Sequence, residues 1–156
     1  MTLLLDNTVL SNFALTRRMD LVRIALGNNV ATTTAVLDEF QAGIIRGLLP
    51  QTDLAWLTII ELSAAEQVLF QELLVRVNAG EAACLAAAAH RSGRLFTDDR
   101  DARTLAARLQ IPVSGTLGIL HRLVQIQVLT LSEANALLGE MISQGYRSPV
   151  ANLADL

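Results

Sequence analysis

Short apolar runs alternate along this chain with stretches of helical periodicity, and acids stand at four of the handovers into a helix: Asp6, Glu39, Glu81 and the pair Asp98 and Asp99. Strands separated by helices are the building unit of a parallel sheet, and the C-termini of its strands share one edge. Residues remote in sequence then converge in a crevice there. The pattern predicts an α/β fold, a mostly parallel central sheet flanked by helices, with a group of carboxylates gathered at the strand ends.

The length of 156 residues fits one domain able to bury its own core. Over half of the residues are hydrophobic and only 4% aromatic, so that core is assembled from Leu, Ala, Val and Ile, as in helices packed on a buried sheet. A domain is expected over residues 1–145. The segment 146–156, with Arg147 and Pro149, has no clear periodicity and reads as a tail, mobile or used for docking.

Two absences narrow the chemistry. All twelve basic residues are arginine, so mechanisms that need a lysine are closed, including P-loop nucleotide hydrolysis and Schiff-base catalysis. The one cysteine, Cys84, leaves no intramolecular disulfide and no cysteine-based zinc site. The Leu3–Leu5 run is too short for a signal or a membrane span. These features together lead to the expectation of a cytoplasmic protein with no membrane partner. A formal charge of −3 argues against a general polyanion-binding surface, which leaves a local basic patch or a metal to hold a phosphodiester.

The apolar run at Thr2 to Leu5 reads as a strand ending at Asp6, with Asn7 and Thr8 as capping residues before Val9, Leu10 and Phe13. A helix over Met19 to Leu26 and a strand over Val30 to Thr33 follow. Glu39 then sits beside a helical stripe of Val36, Leu37, Phe40 and Ile44. Trp56 to Leu62 reads as an edge strand, and Ser63 with Glu66 forms a capping box for a helix to about Val77. Glu81 opens an alanine-rich helix. Arg94 to Thr97 forms a strand delivering Asp98 and Asp99, and Ala102, Leu105, Ala106 and Leu109 mark the next helix. Ile111 to Ser114 is a further strand, Leu117 to Gln127 a helix, and Ser132 the cap of the last one.

Carboxylates packed together repel and resist ionisation, and the simplest compensating partner is a hard divalent cation such as Mg²⁺ or Mn²⁺. That reasoning points to metal-dependent phosphodiester hydrolysis. Each acid also has a plain local role open to it. Asp6, Asp98 and Asp99 are good helix caps, Glu39 suits a solvated helix face, and Glu81 complements a helix N-terminus. His90 and His121 stand alone on helices, as surface or packing residues. Cys84 reads as a small buried hydrophobe. Gly115 and Gly118 read as a tight turn with close packing, or as a phosphate cradle. The arginines from Arg91 to Arg108 read as a solvated face or as a contact for nucleic acid or a partner peptide.

Taken in order, these residues resemble a PIN domain, the nuclease fold that includes the VapC-like toxins of toxin–antitoxin operons. Leu4 to Thr8 is similar to the first motif of that family, Val36 to Phe40 to the second with Glu39 as its acid, and Gly80 to Ala82 to the third. Thr97 to Arg103 resembles the fourth, with Asp99 as the first choice of ligand and Asp98 as the second. Gly115 to Gly118 resembles a PIN-like subgroup catalogued as a domain of unknown function. Glu81 departs from the aspartate that many members carry.

The resemblance implies a three-layer PIN-like domain and an Mg²⁺- or Mn²⁺-dependent endoribonuclease acting through Asp6, Glu39, Glu81 and Asp99. Asp6 and Asp99 would hold the principal ion, with Glu81 on it or on a second one. Thr8 or Thr116 would bond a ligand carboxylate, and Arg100 and Arg103 would contact RNA phosphates. With no side-chain nucleophile implied, 5′-phosphate and 3′-hydroxyl ends are expected. The partners implied are RNA, an antitoxin protein and a second copy in a homodimer. The alternative is a catalytically silent PIN-like interaction protein.

Overall fold

The computed structural model describes residues 1–156. Five parallel strands, β1 (Leu3–Leu5), β2 (Val30–Thr33), β3 (Thr58–Ile60), β4 (Arg94–Phe96) and β5 (Val113–Ser114), form one sheet in the order β3-β2-β1-β4-β5. Eight helices connect and cover them: α1 (Asn7–Leu15), α2 (Met19–Leu26), α3 (Thr34–Ile45), α4 (Ala64–Leu73), α5 (Ala79–His90), α6 (Arg100–Arg108), α7 (Thr116–Gln125) and α8 (Leu131–Ser143). This is the three-layer α/β architecture expected.

The strand order has a functional consequence. From β1 the chain builds outward through β2 to β3, then returns to the other side of β1 for β4 and β5. The reversal leaves a crevice between the C-terminal ends of β1 and β4, the usual place for a ligand in an open parallel sheet. Leu5 lies opposite Phe96 in the β1–β4 register, so the residues after them, Asp6 and Thr97 to Asp99, emerge side by side.

Helix α5 lies against β1, β2 and β4, with α3, α4 and α6 beside it. Its alanines make that approach possible: Ala82 to Ala88 are all buried, Cys84 among them. Helices α1, α2, α7 and α8 pack together as a second group. The tail is part of this fold. Leu153 is buried in a short 3-10 turn, its N–H donates to Asn135 Oδ1 at 2.8 Å, and Asn135 Nδ2 donates to Asn152 Oδ1 at 3.1 Å.

Several boundaries differ from the sequence reading. Of the caps open to α1, Asp6 is the one used and Asn7 and Thr8 are not, while Thr130, not Ser132, caps α8 through a reciprocal bond with Glu133. Helix α5 starts two residues before Glu81 because Asn78 closes a capping box with it. The Ser63–Glu66 box is present, but α4 ends at Leu73, and the edge strand shrinks to Thr58–Ile60. Ile111 to Ser114 reduces to two strand residues, since β5 has only one neighbour to bond.

Candidate functional site

Asp6 is held at the end of β1 by two threonines. Its Oδ1 accepts from Thr8 N at 2.7 Å and from Thr8 Oγ1 at 2.5 Å, and its Oδ2 accepts from the Thr97 hydroxyl. Each hydroxyl also accepts a backbone bond from the segment that follows β4, Thr8 from Asp98 N at 2.9 Å and Thr97 from Asp99 N at 3.1 Å. The two threonines therefore lace β1 to β4 around a buried carboxylate. Sequence reasoning anticipated Thr8 in this role and missed Thr97, whose only signal was its place at the end of β4, next to the paired aspartates.

Asp98 and Asp99 are adjacent but differ in function within the scaffold. Asp98 turns towards α7, where Oδ1 accepts from Thr116 N at 2.8 Å and Oδ2 accepts from Thr116 Oγ1 and from Asn12 Nδ2 at 3.0 Å. It caps α7 from a distance, because the residue at the cap position, Gly115, has no side chain to do so. A Cβ on Gly115 would run into Asp98 Oδ1 and would stand 2.9 Å from the Thr97 carbonyl. Asp99 caps α6 through Oδ2, bonded to Ala102 N at 2.8 Å, and its Oδ1 accepts no hydrogen bond within the chain.

The other two acids meet at the N-terminus of α5. Glu81 closes the capping box through Oε2 and Asn78 N at 3.2 Å, while Glu39 reaches across from α3 to accept from Gly80 N at 2.8 Å through Oε1. Two carboxylates are placed where a helix end offers free N–H groups and positive potential. Gly80 is what permits it: a Cβ there would lie 2.7 Å from Glu39 Oε2. Glu39 Oε2 and Glu81 Oε1 are, like Asp99 Oδ1, without an intramolecular donor.

The proton affinities of the acids reflect one another's presence. Burial pushes Glu81 up to about 7, with Asp99 the next cause and Asp6 and Glu39 adding to it. Asp6 rises to about 6, again chiefly through burial, against the opposing hydrogen bonds from Thr8 and Thr97. Asp98 is raised by burial and held back by Thr116 and Arg103. None of these acids has an ion pair; the chain's two lie elsewhere, Arg18 with Asp20 and Arg91 with Glu66. Asn7 Oδ1, next in sequence to Asp6, is buried with no hydrogen-bond partner.

An all-oxygen set of uncompensated carboxylates fits a hard divalent cation in chemistry. As the side chains lie, no three His, Cys, Asp or Glu residues form a group that could hold an ion. Thr116 bonds Asp98, not Asp6 or Asp99. Arg103 donates from Nη1 to the Thr97 carbonyl at 2.9 Å, and Arg100 lines the same cavity beside Asp98. Cys84 is a buried thiol against the Leu5 carbonyl, pushed well above its ordinary range by burial. His90 is exposed and contacts only its own helix, at Ala86 O.

A family model described as a PIN domain matches residues 2–155. The chain belongs to the PIN-domain family. PIN domains are generally nucleases and typically use divalent metals, which agrees with an acid-lined crevice at the β1–β4 switch point. No curated protein matches this PIN chain. No helix in it is long and apolar enough to cross a membrane.

Proposed function

We propose that this PIN domain is an Mg²⁺- or Mn²⁺-dependent endoribonuclease of the cytoplasm, the toxin of a toxin–antitoxin pair. One observation carries the reading: four carboxylates from separate parts of the chain, Asp6, Glu39, Glu81 and Asp99, stand at a single sheet edge with no arginine paired to any of them. Such a cluster is unstable by itself and becomes favourable around a cation.

Asp6, Glu81 and Asp99 are the residues to hold the ion, and Glu39 the one to orient water or a second ion. Asp98 is the weaker choice as a ligand because both of its oxygens already accept bonds from α1 and α7. A bound divalent ion supplies an acidified water and neutralises charge gathering on the phosphate oxygens. The chain's part is to keep Asp6 rigid through Thr8 and Thr97, and to present Arg100 and Arg103 beside the acids for RNA phosphates. The products are 5′-phosphate and 3′-hydroxyl ends.

The test is cleavage of labelled single-stranded RNA with Mn²⁺ and with EDTA. Asp6→Asn and Asp99→Asn are expected to lower the rate about a thousandfold, equivalent to about 4 kcal/mol of barrier, while circular dichroism shows the fold retained. Cleavage that persists in EDTA or in both variants overturns the proposal. The second reading, a silent interaction protein, draws on the absence of a ready-made group of three ligands. Its signature is a melting temperature that Mn²⁺ leaves unchanged.

A further inference from the structure

Two cavities of ligand size open in the surface. The larger, about 1050 Å³ beside Asp98, is lined by Arg100, Arg103 and Arg108 of α6 and by Arg147 from the segment after Gly145. The second, about 630 Å³, lies where α1 ends, α2 begins and residues 50–56 lead into the N-terminal end of β3. Helix α1 starts at the acid edge and runs for nine residues, which sets this cavity about 13 Å from Asp6 along the helix. The ribonuclease reading makes no use of it.

Trp56, the chain's one tryptophan, is half-buried in the wall of the second cavity and packs against the core. Arg17, Arg23, Asp20 and Asp53 line it as well. The acids are already engaged: both Asp20 oxygens accept from Arg18, at 3.1 and 3.3 Å, and Asp53 Oδ1 accepts from Ala55 N at 2.9 Å. The arginines are largely uncommitted. Neither forms an ion pair, and Arg23 uses only Nε, on Asn28 Oδ1 at 3.3 Å.

Arg17 also occupies a strained position. It follows α1 in the left-handed conformation, φ 57°, with Arg18 N bonded to Phe13 O at 2.9 Å, a helix ending in which glycine is the unstrained residue. Ser92, Gln110 and Gln127 end three other helices in the same conformation, and Arg17 is the one of the four with a charged side chain.

We propose that this cavity is a second ligand site and takes a mononucleotide, with the purine on Trp56, the phosphate on the Arg17 and Arg23 guanidinium groups, and ribose hydroxyls donating to Asp53. Guanidinium forks match phosphate oxygens, and a base stacks on an indole whatever its hydrogen-bonding edge. Two arginines balance the charge of one phosphate monoester, whereas Asp53 and the chain's formal charge of −3 disfavour a longer polyanion. A nucleotide bound here is a ligand and not a substrate of the acids.

The experiment is titration of the full chain with adenosine 5′-monophosphate in EDTA, read by calorimetry and by the fluorescence of Trp56, which reports on this cavity alone. Saturable quenching is expected, and adenosine, lacking the phosphate, binds about tenfold more weakly. Arg17→Gly removes the guanidinium and relieves the backbone together. Its affinity for the monophosphate falls about tenfold, its affinity for adenosine is unchanged, and its Tm stays level or rises, which separates a lost contact from misfolding. Trp56→Leu, followed by calorimetry, weakens both ligands about tenfold, and Trp56→Phe recovers part of that loss. Arg76→Ala, outside the cavity, changes neither. No saturable quenching, wild-type affinity for the monophosphate in Arg17→Gly, or an equal loss in Arg76→Ala overturns the proposal. A 5′-phosphorylated oligonucleotide that binds about tenfold more tightly than the mononucleotide overturns it too.

Discussion

Two neighbouring regions at the same end of the sheet carry opposite charge and are built in opposite ways. The acid edge is tied into the fold: Asp6 is 1% and Glu81 8% exposed, Glu39 and Asp99 are half-buried, and every acid there accepts at least one bond from a helix end or a threonine. The arginine cavity is open, and three of its four guanidinium groups bond nothing in the chain. The carboxylates owe their positions to neighbouring donors, whereas those three guanidinium groups are held only by their own side chains. Asp98 lies on the border and serves structure, bridging α1 and α7.

The sharpest way to break this contrast is to treat the two adjacent aspartates alike. Asp98→Ala strands Thr116 N and the Thr116 hydroxyl proton and leaves Asn12 Nδ2 with only its 3.1 Å bond to Thr116 Oγ1, and is expected to cost about 4 kcal/mol in urea unfolding, against about 1 kcal/mol for Asp99→Ala, the loss of a helix cap. Equal costs would mean that Asp98 is not the structural member of the pair. Next in size is metal binding. At a hundred times its Kd, Mn²⁺ should stabilise the native state by about 2.7 kcal/mol, a rise of about 5–10 °C in Tm by differential scanning fluorimetry, abolished in Asp6→Asn.

Proton linkage gives a slightly smaller effect. Asp6 at about 6 and Glu81 at about 7 both lie above their ordinary values, so the folded chain holds more protons than the unfolded one across the interval between. Stability of the metal-free protein therefore falls as pH rises through that window, by about 2 kcal/mol from pH 5.5 to 7. A flat or rising Tm over that range contradicts the burial of these two carboxyl groups. The smallest expected change is Gly80→Ala, about 1 kcal/mol from crowding Glu39 off the α5 terminus, with a weaker Mn²⁺ response as the reading that distinguishes it from simple overpacking.

Much of this arrangement could be read from the chain, because strand ends and helix caps are local features. Val30 to Thr33, Met19 to Leu26 and the Ser63 box emerged from short-range patterns alone, and the alternation of elements carried the parallel sheet. Boundaries failed where a cap lay one or two residues from the obvious hydroxyl, as with Thr130 against Ser132. Asp6, Glu81 and the Asp98–Asp99 pair were visible through their place at junctions, whereas Glu39 lies inside α3 and not at a handover, and reaches the others only across the α3–α5 contact. What the chain could not display was which oxygen of each acid is committed elsewhere: that Asp98 bonds Thr116 and Asn12 depends on contacts over 18 and 86 residues. Thr97 and Asn12 were missed for the same reason, and so was the tail, whose packing depends on single residues such as Leu153 with no repeat to announce them.

The bond from the Thr97 hydroxyl to Asp6 spans 91 positions, and β1 sits between β2 and β4 in the sheet. A growing polypeptide that has left the ribosome only as far as β3 thus has its first aspartate but lacks half of that residue's surroundings, and the arginine wall after Gly145 comes later still. The lacing of β1 to β4 around Asp6 is therefore among the later steps open to a chain that folds as it is made.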